Sequence, residues 1–311
     1  MSIKYSGLFE LLCIKGLSKT QLQKRLDFSS STLAKLSKNE HVSLHVIEAI
    51  CRELDCQPGD IMTMEKEEPT NKLLQKLLEE KEMKLKGGIY HQTQIKLSYN
   101  SNRIEGSRLS EEQTRYIYET NTIEMENDEP THVNDIIETM NHFQCFDYML
   151  DHADDILTEL IIKEFHKFLK SGTSDSRKEW FHVGDYKTQP NMIGDKKTTP
   201  PSKVKYEMGK LLEAYNDKKS ITFEDIIEFH YRFESIHPFQ DGNGRVGRLI
   251  LFKECLKHNI IPFIIDETRK LYYYRGLNEY ENEKGYLTDT CLSAQDKYVE
   301  LIQYFMGEEK A

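Results

Sequence analysis

Apolar residues recur at intervals of three and four along nearly the whole chain, while runs that alternate apolar with polar residues are almost absent. Such spacing lines one face of an α-helix and leaves little that could form a sheet. The reading is an all-α fold, with helical patterns near 6–15, 18–26, 29–37, 43–54, 58–63, 71–100, 110–120, 131–151, 156–170, 202–216, 222–235, 244–258, 268–282 and 288–306. One segment breaks the rule. Residues 171–201 are rich in Gly, Pro and Thr, and within them WFHVGDYK and PNMIG bracket a turn. A short β-hairpin lying on the helical body is expected there, near 181–199.

The stretch EKEEPTN at 65–71 combines charge with a proline and marks a boundary. It divides the chain into a small domain at 1–64, a connecting region at 65–109 and a main body at 110–311. In the first domain, Ser18-Lys19-Thr20-Gln21 offers a capping box into one short helix and Ser29-Ser30-Ser31 caps the next. A tight turn therefore joins the pair. This pattern resembles the Cro/cI-type helix-turn-helix family, with Ser30, Ser31, Thr32, Lys35 and Lys38 on or beside the would-be recognition helix. The resemblance implies DNA as a partner. Because the segment is nearly charge-balanced and DNA affinity rests largely on phosphate neutralisation, a docking or homodimerisation module stands beside that reading.

A formal net charge of -10 argues against a chain-wide surface for polyanions, so any nucleic-acid contact would be local. No apolar run approaches the roughly 18 residues that span a bilayer, and the first residues are too broken by charge for a signal peptide. The expectation is a cytoplasmic chain without membrane contact. The six cysteines, Cys13, Cys51, Cys56, Cys145, Cys255 and Cys291, show no metal-ligand spacing and read as reduced, buried apolar side chains.

The chemistry concentrates in HPFQDGNGRVGR at 237–248. Two glycines permit a sharp loop, and an apolar helical pattern follows at once. A loop feeding a helix N-terminus presents free N–H groups and the positive end of the helix dipole, which together favour an anion. Arg245 and Arg248, about one turn apart, can both reach phosphate oxygens. Asp241 is placed to hold Mg²⁺, which commonly takes one or two carboxylates together with substrate phosphates. His237 could accept a proton from an attacking hydroxyl, and Phe239 anchors the loop in the core. No GxxxxGK[ST] motif offers a rival phosphate site.

These twelve residues match the signature of the Fic family, HxFx(D/E)GNGRxxR, at every fixed position, and the flanking IEFHYRFESI and GRLILFKECLKHNIIPF are similar to that family as well. The resemblance implies an all-α Fic core with a hairpin flap, and transfer of AMP from ATP, with Mg²⁺, to a Ser, Thr or Tyr hydroxyl of a protein. His237 would then be the general base and Asp241 the metal ligand. The run Gly242, Asn243, Gly244, Arg245, Val246, Gly247 and Arg248 would contact the nucleotide, with both arginines on the outer phosphates. The flap would pair with the target peptide, with Asp185, Tyr186 and Lys187 in that role, although GDYK departs from the commoner Arg ending. In KLYYYRGL, Tyr273 and Tyr274 are candidates for the nucleoside or, equally, core aromatics; Asn278 and Asn282 are weaker candidates.

Upstream, SYNSNRIEGSRLSEEQT places Ser101, Glu105 and Gly106 in the pattern (S/T)xxxE(G/N), which resembles the inhibitory motif of Fic proteins that carry an inhibitory helix before the core. Its physical logic is competition, since Arg248 can pair with Glu105 or with a phosphate but hardly with both. Three readings follow: an autoinhibited adenylyltransferase, transfer of another phosphate-containing group by the same loop, and a DNA-binding regulator whose core senses nucleotide.

Overall fold

The computed structural model describes residues 2–65, 71–123 and 131–307, and the expected linker lies almost wholly outside them. The chain separates into two compact units, Met1–Thr70 and Asn71–Ala311.

In the first unit, α1 (Ser6–Ile14), α2 (Lys19–Leu26), α3 (Ser30–Ser37), α4 (Leu44–Leu54) and α5 (Pro58–Ile61) surround Leu8, Leu22, Leu36, Ile50 and Ile61. The capping box forms: Ser18 Oγ accepts the Gln21 N–H, and the Gln21 side chain accepts the Ser18 N–H. Ser29 caps α3 by accepting the Thr32 N–H at 3.1 Å. Asp27, left-handed at φ 51, turns the chain between α2 and α3. Ser30, Ser31, Lys35 and Lys38 are exposed, and Thr32 is half-buried. A two-stranded sheet, β1 (Ser2–Lys4) against β2 (Thr63–Glu65), joins the two ends of this unit. Three-residue strands are too short to register in a periodicity.

The second unit is built from α6 (Lys72–Met83), α7 (Ile89–Ile104), α8 (Glu111–Thr120), α9 (Val133–Asp151), α10 (Glu159–Lys170), α11 (Pro201–Asn216), α12 (Phe223–Ile236), α13 (Asn243–Lys257), α14 (Lys270–Glu279) and α15 (Gly285–Met306). At its centre, α13 is buried over nearly its whole length and packs against α7, α9, α10 and α12. The single helix expected over 71–100 is two. Lys84 and Gly87 adopt positive φ, and the buried Glu80 carboxylate accepts the Tyr90 N–H at 2.9 Å, capping the new start. At Gly88 that carboxylate fills the space a Cβ would take.

The hairpin is also shorter than expected, with β3 (Met192–Ile193) against β4 (Lys196–Lys197). WFHVGDYK is not a strand. Its backbone donors are taken by the helical body: the Gly184 N–H by His166 Nδ1 and the Lys187 N–H by the Pro238 carbonyl, both at 2.9 Å. Among the cysteines, Cys145, Cys255 and Cys291 are buried, but Cys13 is exposed and Cys51 and Cys56 are half-buried. No described helix is long and apolar enough to cross a membrane.

Candidate active site

Helix α12 ends at His237, which adopts φ 52 and ψ 62 and so turns the chain sharply away from the helix axis. Phe239 fixes the loop from below, fully buried and stacked on the His166 ring at 4.1 Å. Asn243 closes the loop from within: its Oδ1 accepts the Phe239 N–H at 2.8 Å and its Nδ2 donates to the Phe239 carbonyl at 2.9 Å. Gly242, at φ 83, then feeds the chain into α13. Burial and the nearby Lys187 lower the His237 pKa to about 4, so the imidazole is neutral at pH 7 and able to take a proton.

The first turn of α13 is where an anion should sit, and a carboxylate occupies it. Glu105 caps the C-terminus of α7, where Gly106 at φ 102 ends the helix, and its side chain lies so close over Gly244 that a Cβ there would collide with it. The same carboxylate accepts from Arg248 Nη2 at 2.8 Å. Ser101, one turn earlier on α7, accepts from Arg248 Nε through Oγ at 3.0 Å and from Nη2 through its carbonyl at 2.9 Å. Burial disfavours the charge on Arg248, but Glu105, aided by Tyr273 and Glu234, more than offsets this and the Arg248 pKa is raised. All three residues of the upstream motif therefore act at one guanidinium: Ser101 and Glu105 as acceptors, Gly106 as the turn that places them.

Arg245 is turned elsewhere. It is buried and pairs with Glu138 of α9 and, at 3.2 Å, with Asp241. Lys170, at the end of α10, meets Asp241 at 2.6 Å and Asp175 at 3.2 Å, and it also contacts Glu138. Burial pushes the Asp241 carboxyl up, but Arg245 and Lys170 pull it down more strongly, holding it ionised well below the usual carboxylate range. Asp241 remains half exposed. One ionised, accessible carboxylate beside a phosphate site fits the donor set of a Mg²⁺ shared with substrate. Among the described residues no group of three or more metal-ligating side chains occurs, so the protein would supply few of the ligands.

A profile of the Fic/DOC family matches residues 156–254, which include the whole loop, and one of the Cro/C1-type helix-turn-helix DNA-binding domain matches residues 8–67. Residues 156–254 are a Fic domain. A protein adenylyltransferase of Caenorhabditis elegans is 28% identical over 186 residues, covering 58% of this chain and 35% of the relative. A probable protein adenylyltransferase of Aquifex aeolicus is 27% identical over 168 residues, covering 51% and 49%. The chain thus spans about a third to a half of the length of these relatives. Among solved structures, a Fic-domain signaling protein from Bacteroides thetaiotaomicron aligns with a TM-score of 0.57 at 25% identity, covering 75% of this chain and 87% of that one. C. elegans Fic-1 aligns at 0.59 over 94% and 82%, and at 18% identity shows the fold alone.

Beside the Fic loop lies a cavity of about 840 Å³, lined by Glu105, Glu234, His237, Gly244, Arg248, Tyr273, Tyr274 and Asn278, with the β3–β4 hairpin along one edge. That volume falls within the range of ordinary small-molecule sites. Five of the residues expected at a nucleotide do not line it. Val246 is buried in the core, Arg245 is locked to Glu138, the Asn243 side chain is consumed within the loop, Gly247 packs against Glu234 and His230, and Gly242 sits against Leu169. Tyr273 reaches the wall although fully buried, with its hydroxyl 2.6 Å from His230 Nε2, and the Tyr274 hydroxyl donates to the Ile104 carbonyl at 3.3 Å. Asn282 lies outside, bonded to the Glu279 side chain.

The residues expected to position a target through the flap lie just ahead of the β3–β4 hairpin. Asp185 pairs with Lys163 at 2.9 Å, Tyr186 is buried 5.8 Å from the Phe239 ring, and Lys187 Nζ holds Asn191 and Thr198 at 2.7 and 2.6 Å. Glu138, Lys170 and Glu234 went unread in the sequence. Each sits in an ordinary helical pattern, and only packing brings it to the site.

Proposed function

We propose that this protein is an adenylyltransferase held in check by its own Glu105, transferring AMP from ATP to a Ser, Thr or Tyr hydroxyl of a protein target, itself included. The observation that carries the reading is the Glu105–Arg248 pair standing on the first turn of α13 beside a neutral His237. A carboxylate bound where the loop favours an anion supports both the site and its occlusion. The relatives named adenylyltransferases support the reaction class.

In this mechanism, His237 takes the proton of the target hydroxyl as its oxygen bonds to the α-phosphorus. The bond from the α-phosphorus to the bridging oxygen breaks, and diphosphate leaves with that oxygen. The free N–H groups at the start of α13 and Arg248 stabilise the phosphate charge, so that the protein contributes position and electrostatics and forms no covalent bond itself. Asp241 would hold Mg²⁺, which neutralises the developing charge on the phosphates when bound. Lys170 and Arg245 keep that carboxylate ionised.

Mass spectrometry after incubation with Mg²⁺ and ATP tests the reading on wild type, Glu105→Gly and Glu105→Gly/His237→Ala. An AMP adduct confined to the single variant supports base and brake together. Folded Glu105→Gly protein that binds ATP yet forms no adduct, with or without added candidate targets, counts against the transferase. A second reading, DNA binding by the first unit, draws on the helix-turn-helix match and on exposed Ser30, Ser31 and Lys35 of α3. Salt-sensitive, sequence-selective gel shifts would support it, and a flat response to salt would remove it.

A further inference from the structure

Glu105 takes only one of the two terminal nitrogens of Arg248. The other, Nη1, is buried without a hydrogen-bond partner among the described residues, and so are Oε1 of Glu234 and Nδ1 of His230. Glu234 stands on α12, one turn before His237, and is 8% exposed on the cavity wall. Its carboxyl and the His230 ring converge over the bare backbone of α13: a Cβ on Gly247 would collide with Glu234 Oε1 and lie 3.0 Å from His230 Nδ1. The next residue is Arg248. On its far edge His230 is fixed by Tyr273, whose ring centroid lies 6.0 Å from the Arg248 guanidinium. A buried polar atom without a partner is costly, so three of them on neighbouring side chains, one being the guanidinium's own Nη1, require an account.

We propose that Glu234 is a positioning residue, the carboxyl that takes over Arg248 when Glu105 withdraws and keeps the guanidinium aimed into the cavity for the anionic end of the substrate. The inference rests on Arg248 as the ligand of the outer phosphates. Its electrostatics are self-consistent. Burial, opposed by Arg248 and reinforced by Glu105, pushes the Glu234 pKa up to about 8, so this acid is uncharged at neutral pH while Glu105 is in place. Withdrawal of Glu105 removes one of the two influences that raise it and leaves Arg248 to draw it down. The two carboxylates thus do not compete, both charged, for one cation. Gly247 is the residue whose missing side chain admits the second of them.

The test adds Glu234→Leu or Glu234→Gln to the Glu105→Gly protein and reads ATP affinity by calorimetry alongside steady-state kinetics. Leu removes the acceptor, whereas Gln keeps an oxygen for Nη1. The expected result with Leu is roughly tenfold weaker ATP binding and a raised KM with kcat little changed, most of it restored with Gln. The Arg248 Nε–H NMR signal gives a reading independent of transfer: dispersed in Glu105→Gly, averaged away when Leu is added, retained with Gln. Gly247→Ala, whose methyl displaces the same carboxyl, should repeat the Leu result should Glu234→Leu fail to fold. ATP affinity and an Arg248 signal unmoved by Leu, or equal damage from Gln and Leu, would overturn the proposal. If Glu105→Gly transfers nothing while its Arg248 signal still answers to Glu234→Leu, the transferase reading falls and the positioning role stands.

Discussion

Removing the Glu105 carboxylate should make the protein less stable in the absence of nucleotide, and more dependent on nucleotide for stability. In Glu105→Gly, the buried Arg248 loses a charge-assisted hydrogen bond of 2.8 Å while keeping both bonds to Ser101. Bonds of this kind contribute about 1.5–3 kcal/mol, and compensation by Ser101 together with the Glu234 carboxyl keeps the loss toward the low end, about 2 kcal/mol. Glycine at a helix C-terminus adds little further cost. For a unit of this size each kcal/mol shifts Tm by about 2–4 °C, so a drop of about 4–8 °C is expected by scanning calorimetry. ATP should reverse it, since a ligand at a hundred times its Kd adds about 2.7 kcal/mol. Wild type, its anion position already filled, should respond far less at the same ATP concentration. Equal ATP shifts in both proteins would refute the idea that carboxylate and phosphate compete for one arginine.

Acid should unfold the protein early. Burial, with nearby cations adding, lowers His142, His166 and His230 to about 3 and His237 to about 4. The unfolded chain therefore binds protons that the folded chain refuses between pH 6.5 and 4, and stability falls as pH drops through that window. Glu234, raised to about 8, works in the opposite direction, and the net loss from pH 7 to pH 5 is on the order of 4 kcal/mol. Urea melts at pH 7, 6 and 5 measure it, and a flat midpoint would contradict it. Glu138→Ala should cost about 3–5 kcal/mol by denaturant unfolding, because it strips a partner from buried Lys170 and Arg245 together; a loss below 1 kcal/mol would show that Asp241 suffices. Ser29→Ala removes the cap of α3 and should cost about 1 kcal/mol in the first unit, read from its own melting transition.

Where sequence reading went astray, long-range contacts had replaced local preference. The apolar spacing continues across 84–88, so periodicity alone joined α6 to α7, although Gly87-Gly88 was a visible signal of the break. Over 181–187 the alternation resembles a strand, yet His166 and Pro238 claim the donors a strand would need. Arg245 and Arg248 look equivalent in the motif, one turn apart. Their neighbours divide them: Glu138 draws one inward, and Glu105 meets the other at the cavity.

By itself the sequence determined what depends on neighbours along the chain: the helices with their serine caps, the Gly-framed turn into α13, and the contiguous set of loop residues from His237 to Arg248. Their geometry follows from backbone angles and short-range hydrogen bonds, which a few adjacent residues dictate. Tertiary structure decided which charges meet. Glu105 and Arg248 are 143 positions apart, and Glu138 and Arg245 are 107. A helical pattern reports which face is buried but not what that face will touch. That choice is made when whole helices pack, and packing brought the Glu105 carboxylate to the first turn of α13 and Glu234 against Gly247.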